Sequence, residues 1–222
     1  MNIFNFNLQP DKDGFSLKRI VVGPIGTNVY IMINTHTQDA LIVDPGDEPD
    51  RILARLNYEK VNPVAILLTH GHFDHIGAAD TLRKHYRIPV YCLDKEVLLM
   101  EDARANGSAE WYQEVSLTPD KTFRAEQKAE LAGFSFQVLY TPGHTAGSCC
   151  YYFPDLKVLM SGDTLFHGSY GRTDLETGND ADIVRSVRRL LRELPDDTTV
   201  CPGHMDMTFI AFERRFNPLS EG

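Results

Sequence analysis

The sequence predicts an α/β domain built from two similar halves, and three observations carry that expectation. Short apolar runs of strand length recur between breaks that contain Gly and Pro. Stretches of helical spacing fall between these runs, and strands followed by a helix come twice in the same order. No low-complexity linker or shift of composition divides the chain. The reading is therefore one domain over residues 1–222, although no sequence repeat accompanies the repeated order.

Within residues 16–44, "LKRIVVG", "NVYIMIN" and "DALIVD" read as three strands, the first two divided by Gly23-Pro24 and Gly26. "EPDRILARLN" has helical spacing and starts near Pro49. "VAILLT" is a continuous apolar run, as expected of a strand buried on both faces. "IGAADTLRKHY" is helical, "PVYC" is a short strand, and "DKEVLLM" reads as a helix with Asp94 as its N-cap. Residues 101–122, which hold the only tryptophan, Trp111, are polar and irregular; they read as a surface connection, with a flap over a site as the alternative. Beyond them "FSFQVLYT", "SCCYYF" and "KVLMSGD" are strands, and "DIVRSVRRLLREL" is an amphipathic helix. "TTVCPGH" is a strand ending in a turn, and a last helix covers residues 209–216.

Composition narrows the function. A formal charge of −9 without a basic run argues against nucleic acid or an anionic membrane as partner. No stretch approaches the roughly 18 apolar residues that span a bilayer. The start, MNIFNFNLQPDKDG, lacks the basic and apolar regions of a secretory leader. Cys92, Cys149, Cys150 and Cys201 form no CxxC pair and read as buried, reduced thiols of a cytoplasmic protein, a disulfide or a thiolate ligand being the alternatives.

Four strand ends carry residues of metal-binding type. "THGHFDH" holds His70, His72, Asp74 and His75; "TPGHT" holds His144; "SGD" ends on Asp163; "PGH" ends on His204. Loops after strands are where α/β proteins build sites, and the neighbouring Gly71, Gly143, Gly162 and Gly203 allow tight bends. Extended backbone alternates its faces, so His70 and His72 point the same way, and Asp74 and His75 turn aside as a helix begins. Five histidines and two aspartates are nitrogen and oxygen donors suited to zinc, iron or manganese. That many donors imply two metals with one bridging carboxylate, for which Asp163 is the natural candidate. Asp44 and Thr69, Thr141 and Thr145 are candidates to hold the imidazoles; Asp44, beside Pro45 and Gly46, reads equally well as a turn former.

Through "THGHFDH", "TPGHT", "GDTLF", "GRTDL" and "PGH", in that order, the sequence resembles the metallo-β-lactamase superfamily from about Val22 to Pro218. The resemblance implies a four-layer αβ/βα sandwich with the metals at one edge. It implies one site of His70, His72 and His144, a second of Asp74, His75 and His204, and Asp163 bridging two divalent ions, zinc first, with iron or manganese as alternatives. The segment "SGDTLFHGSYGRTDLETGND" looks most like the short bacterial hydroxyacylglutathione hydrolases, or glyoxalase II. That likeness implies a thioesterase acting on S-2-hydroxyacylglutathione through a metal-bridging hydroxide, with Asp74 orienting the nucleophile. Tyr170 and Arg172 would lie on the substrate side, unless Arg172 is merely a turn residue paired with Asp174. Two features depart from the family pattern. Only 18 residues follow His204, too few for the helical domain that helps hold glutathione in classical glyoxalase II, and Met205 and Asp206 stand where a tyrosine is expected. A glutathione-linked substrate would then be held differently; Arg214 and Arg215 are candidates, with a solvated helix face as the plainer reading. The other activities the resemblance allows are a mononuclear iron persulfide dioxygenase using His70, His144 and Asp163, and a lactonase. His36, His85 and His167 read as unattached; His167 is a candidate to line the pocket and is not expected to bind metal.

Overall fold

The computed structural model describes residues 14–110 and 113–220; residues 1–13, read above as lacking a secretory leader, and Trp111 lie outside them. β1 (Phe15–Val22), β2 (Thr27–Asn34) and β3 (Asp39–Val43) form an antiparallel meander. α1 (Pro49–Glu59) carries the chain back to β4 (Asn62–Leu67), parallel to β3. The one-turn α2 (Phe73–Ile76) and α3 (Ala79–Tyr86) precede β5 (Val90–Leu93). A 3-10 turn over Asp94–Glu96, α4 (Val97–Glu101) and β6 (Lys121–Phe123) follow, and the first sheet runs in the order β1-β2-β3-β4-β5-β6.

In the second half β7 (Lys128–Leu131), β8 (Phe134–Tyr140), β9 (Cys149–Phe153) and β10 (Val158–Gly162) are antiparallel neighbours. A small hairpin, β11 (Leu165–Phe166) and β12 (Ser169–Tyr170), precedes α5 (Asp180–Glu193). α5 returns to β13 (Thr199–Pro202), parallel to β10, and β14 (Thr208–Phe209) and α6 (Ile210–Phe216) end the fold. The second sheet runs β14-β13-β10-β9-β8-β7. The unit β3-α1-β4 is thus matched by β10-α5-β13, which is the repeated order seen in the sequence.

Alternation along the strands builds the layers. On β2, Tyr30 and Met32 join Phe136, Tyr151 and Phe153 in a core between the two sheets. Val29, Ile31 and Ile33 face the other way and pack with Ile52 and Leu56 of α1 and Leu82 of α3. Across the molecule Cys150, Leu159 and Val200 pack beneath Ile183, Val187 and Leu190 of α5. The result is the four-layer αβ/βα sandwich. Among the described residues no helix is long and apolar enough to cross a membrane.

One expectation needs correction, and two strands went unread in the sequence. Asp94 is not a cap: it begins the 3-10 turn, and α4 starts only at Val97, because the turn swings Glu96 inward, where it is buried. β6 and β7 were not visible as strands, since both are short, polar sheet edges. Most of the described residues in 101–122 are exposed or half-buried, as expected of a surface connection, and buried residues anchor it. Buried Asn106 donates to the carbonyls of Met100 and Val115, Ser108 donates to Ala103 and Val115, and Leu117 is buried in the core. All four cysteines are buried free thiols, and burial holds Cys92 up at about 12, so it stays a thiol.

Candidate metal centre

Four chain segments leaving strand ends converge at one edge of the sandwich. After β4 the backbone runs extended to His72 and then turns into α2, which puts Asp74 and His75 on its first turn. Gly71 lies where a Cβ would come 2.4 Å from Met100 Cγ, so the loop packs flush against α4. The loops after β8 and β10 bring in His144 and Asp163, and the turn after β13 brings in His204.

The donor atoms fall into three overlapping sets, each within 4.8 Å: His70, His72 and His144; His70, His75 and Asp163; Asp74, His75 and His204. His72 Nδ1 faces His144 Nε2 at 2.9 Å. Asp163 lies between the histidine groups, 3.4 Å from His75 Nε2, 3.6 Å from His144 Nε2 and 3.5 Å from His204 Nε2. Asp74 Oδ2 stands 3.2 Å from His204 Nε2 and 3.5 Å from His75 Nε2. His70 Nε2, His72 Nε2, His75 Nε2 and Asp163 Oδ1 are buried and make no hydrogen bond. Four such atoms at one point carry a large desolvation cost unless a cation satisfies them. The histidine and aspartate groups suit a binuclear metal site.

The far sides of the rings are held by protein. His144 Nδ1 donates to the Arg172 carbonyl at 2.7 Å, which fixes the tautomer that leaves Nε2 as a lone-pair donor. His75 Nδ1 faces Asp44 Oδ2 at 3.1 Å. Asp44 also accepts from Thr69 N and Thr69 Oγ1, and its φ of 50° makes it the turn residue as well, so both readings of Asp44 hold. Thr69 Oγ1 lies 3.2 Å from His70 Nδ1. Thr141 faces Thr164 and Cys150 rather than an imidazole.

Burial, together with the neighbouring histidines, pushes His70 well down and His72 to about 3, so both are neutral donors at neutral pH. Burial opposes charge on His75 and His204 too, but the aspartates around them outweigh it and raise both. The same attraction outweighs burial at Asp74 and Asp163 and holds both carboxylates below their ordinary value.

Two residues of the site carry no local signal in the sequence. Thr27, at the start of β2, donates to Asp74 Oδ2 at 2.7 Å. Glu96 accepts from Gly71 N at 2.8 Å and Thr145 Oγ1 at 2.7 Å, tying the "THGHFDH" loop to the "TPGHT" loop. Burial drives Glu96 up to about 7, against those hydrogen bonds.

Tyr170 is half-buried on β12. The Arg172 guanidinium is exposed and doubly hydrogen-bonded to Asp174, so it is the backbone of Arg172 that reaches the centre. His167 meets Phe212 edge-on, with ring centroids 4.8 Å apart, and is in none of the donor sets. Arg214 donates to the carbonyls of Leu191 and Leu194 and so caps the end of α5.

A profile described as the metallo-beta-lactamase superfamily matches residues 22–204. Hydroxyacylglutathione hydrolase GloC of Haemophilus influenzae is 35% identical over 184 residues, covering 82% of this chain and 87% of that protein. The crystal structure of BLEG-1 B3 metallo-beta-lactamase superposes with a TM-score of 0.87 at 40% identity, covering 93% of this chain and 100% of that one. The crystal structure of TTHA1623 in a di-iron-bound form gives a TM-score of 0.80 at 36% identity over 90% of this chain and 98% of that one. Profile, relatives and layered fold agree, and the chain belongs to the metallo-beta-lactamase superfamily.

Proposed function

We propose that the protein is a binuclear metal-dependent thioester hydrolase acting on S-2-hydroxyacylglutathione. The observation that carries the reading is the convergence of seven donors with Asp163 between the two histidine groups, beside neutral His70 and His72. The 35% identity to a hydroxyacylglutathione hydrolase supports the substrate class. Buried free thiols support a cytoplasmic location.

In this reading His70, His72 and His144 would hold one ion and Asp74, His75 and His204 the other, with Asp163 placed between the two groups. Bound divalent ions supply Lewis acidity at the thioester carbonyl and lower the pKa of water from about 15.7 to about 7. Asp74 stays ionised and orients the attacking water, its own position fixed by the Thr27 hydroxyl. The Arg172 carbonyl and Asp44 aim the His144 and His75 rings. No general acid is needed for the leaving group, because a thiol of pKa about 8.5 departs as thiolate. Tyr170 borders the thiol-carrier side; Arg172 contributes its guanidinium only after release from Asp174.

The test is turnover of S-lactoylglutathione, with a β-lactam and glutathione persulfide as comparison substrates. The reading expects thioester cleavage to dominate, with His70→Ala abolishing it. Preferential oxygen uptake on the persulfide would move the assignment to the iron dioxygenase, and preferential opening of the β-lactam would move it to a lactamase.

A further inference from the structure

We infer that Thr27 and Asn28, the first two residues of β2, are a positioning pair for the second ion alone, and that Asn28 sets whether that ion binds; the inference rests on the two-ion reading above. Thr27 Oγ1 donates to Asp74 Oδ2 at 2.7 Å. Its neighbour Asn28, fully buried, grips the turn that carries His204. The Asn28 backbone N–H donates to the Gly203 carbonyl at 2.7 Å. Its side-chain amide spends both N–H bonds on the carbonyls of Pro202 and Met205, each at 2.9 Å. Two adjacent residues of the first sheet thus hold Asp74 and His204, two of the three donors of the second group. The first group is held by other parts of the chain: His144 by the Arg172 carbonyl, and His70 beside Thr69 Oγ1.

The turn needs that grip. Met205 follows His204 with a φ of 66°, left-handed backbone that a residue with a Cβ keeps only where its surroundings hold it. The Met205 side chain is 57% exposed, so its packing does not supply the hold. The Met205 carbonyl does: besides Asn28, Arg19 of β1 donates to it at 3.3 Å and pairs with Asp206 at 3.2 Å. Tyr30 Oη adds a bond to the Pro202 carbonyl at 3.0 Å. Toward the centre the turn is already packed flush, since a Cβ on Gly203 would stand 2.2 Å from Asp163 Oδ1 and 2.5 Å from His75 Cε1. Released from β2, the turn moves outward and takes His204 with it. That histidine's side chain is 18% exposed, against 0% for His75 and 3% for His144. Loss of the Asn28 amide therefore acts on the second group and leaves His70, His72 and His144 in place.

The experiment titrates the metal-free protein with Co²⁺, follows the visible absorption of the bound ion, and counts ions per chain by elemental mass spectrometry. The wild type is expected to take about two equivalents. Asn28→Asp keeps the size of the side chain, loses its N–H donors and sets a carboxylate against two carbonyls. It is expected to bind the first equivalent with wild-type spectrum and affinity, and the second about 10- to 100-fold more weakly. A residue that served the fold alone would weaken both equivalents together. Arg19→Met, on a partly exposed strand, removes only the outer contact on the Met205 carbonyl, and its second equivalent is expected to weaken about two- to fivefold. That variant decides the matter if Asn28→Asp does not fold, and a second equivalent bound there as in the wild type would then overturn the inference. An Asn28→Asp protein that binds both equivalents as the wild type does, or both more weakly by the same factor, would overturn the positioning role and leave the two-ion reading standing. A wild type that takes a single equivalent would overturn both.

Discussion

Asp44 Oδ2 lies 3.1 Å from Nδ1 of His75, and the same carboxylate takes both the amide and the hydroxyl of Thr69. Asp44 ends β3, while His75 and Thr69 belong to the segment leaving β4. One buried carboxylate therefore sits against an imidazole and holds the start of the loop that carries three more donors. Asp44→Asn keeps the shape and tolerates the left-handed φ, but removes the charge. Metal affinity is expected to weaken about 10- to 100-fold. Competition with a chromogenic chelator measures it, and unchanged affinity would remove Asp44 from this role.

Gly46 is packed so closely that a Cβ would stand 1.5 Å from the carbonyl oxygen of Asp74. Backbone atoms cannot yield as a flexible side chain does. Gly46→Ala is expected to displace α2, to lose metal and to cost about 1–3 kcal/mol or more. Thermal unfolding and metal content of the purified variant check this; a variant with wild-type values in both would mean that α2 is free to shift.

Glu96 gives a pH signature to the metal-free protein. Its ordinary value is 4.5 and burial holds it at about 7 when folded, so the folded state keeps a proton that the unfolded chain releases. The stabilisation is complete below about pH 4.5 and is lost as pH rises to about 7, on the order of 3 kcal/mol in all. Glu96→Gln cannot titrate, so its stability is expected to fall less than that of the parent between pH 5 and pH 8. Denaturant unfolding at the two pH values decides; equal falls would place the titration elsewhere.

Much of this centre was legible in the sequence, for a physical reason. A buried strand must be apolar, so histidines and aspartates within a few residues after "VAILLT", "KVLM" and "TTV" stand out against it, and the glycines beside them mark the bends. The layers were legible because β2 is a run buried along its whole length and α5 carries its buried face in its helical periodicity. What could not be read depends on partners distant in the chain. Glu96 is 25 residues from Gly71 and 49 from Thr145, inside a stretch that looks like an ordinary helix start. Thr27 is 47 residues from Asp74. Arg172 was noticed for its charge, yet it is its carbonyl that meets His144, a role any residue type can fill. The edge strands β6 and β7 escaped because strands with few buried side chains leave no apolar run.

The central claim is that these seven side chains hold two ions together. Elemental mass spectrometry on freshly purified protein, paired with an exact protein concentration, tests it most directly. The account predicts about two metal ions per chain, falling to one or fewer in Asp163→Ala. A wild-type protein that holds one ion per chain even after reloading in excess metal would contradict it.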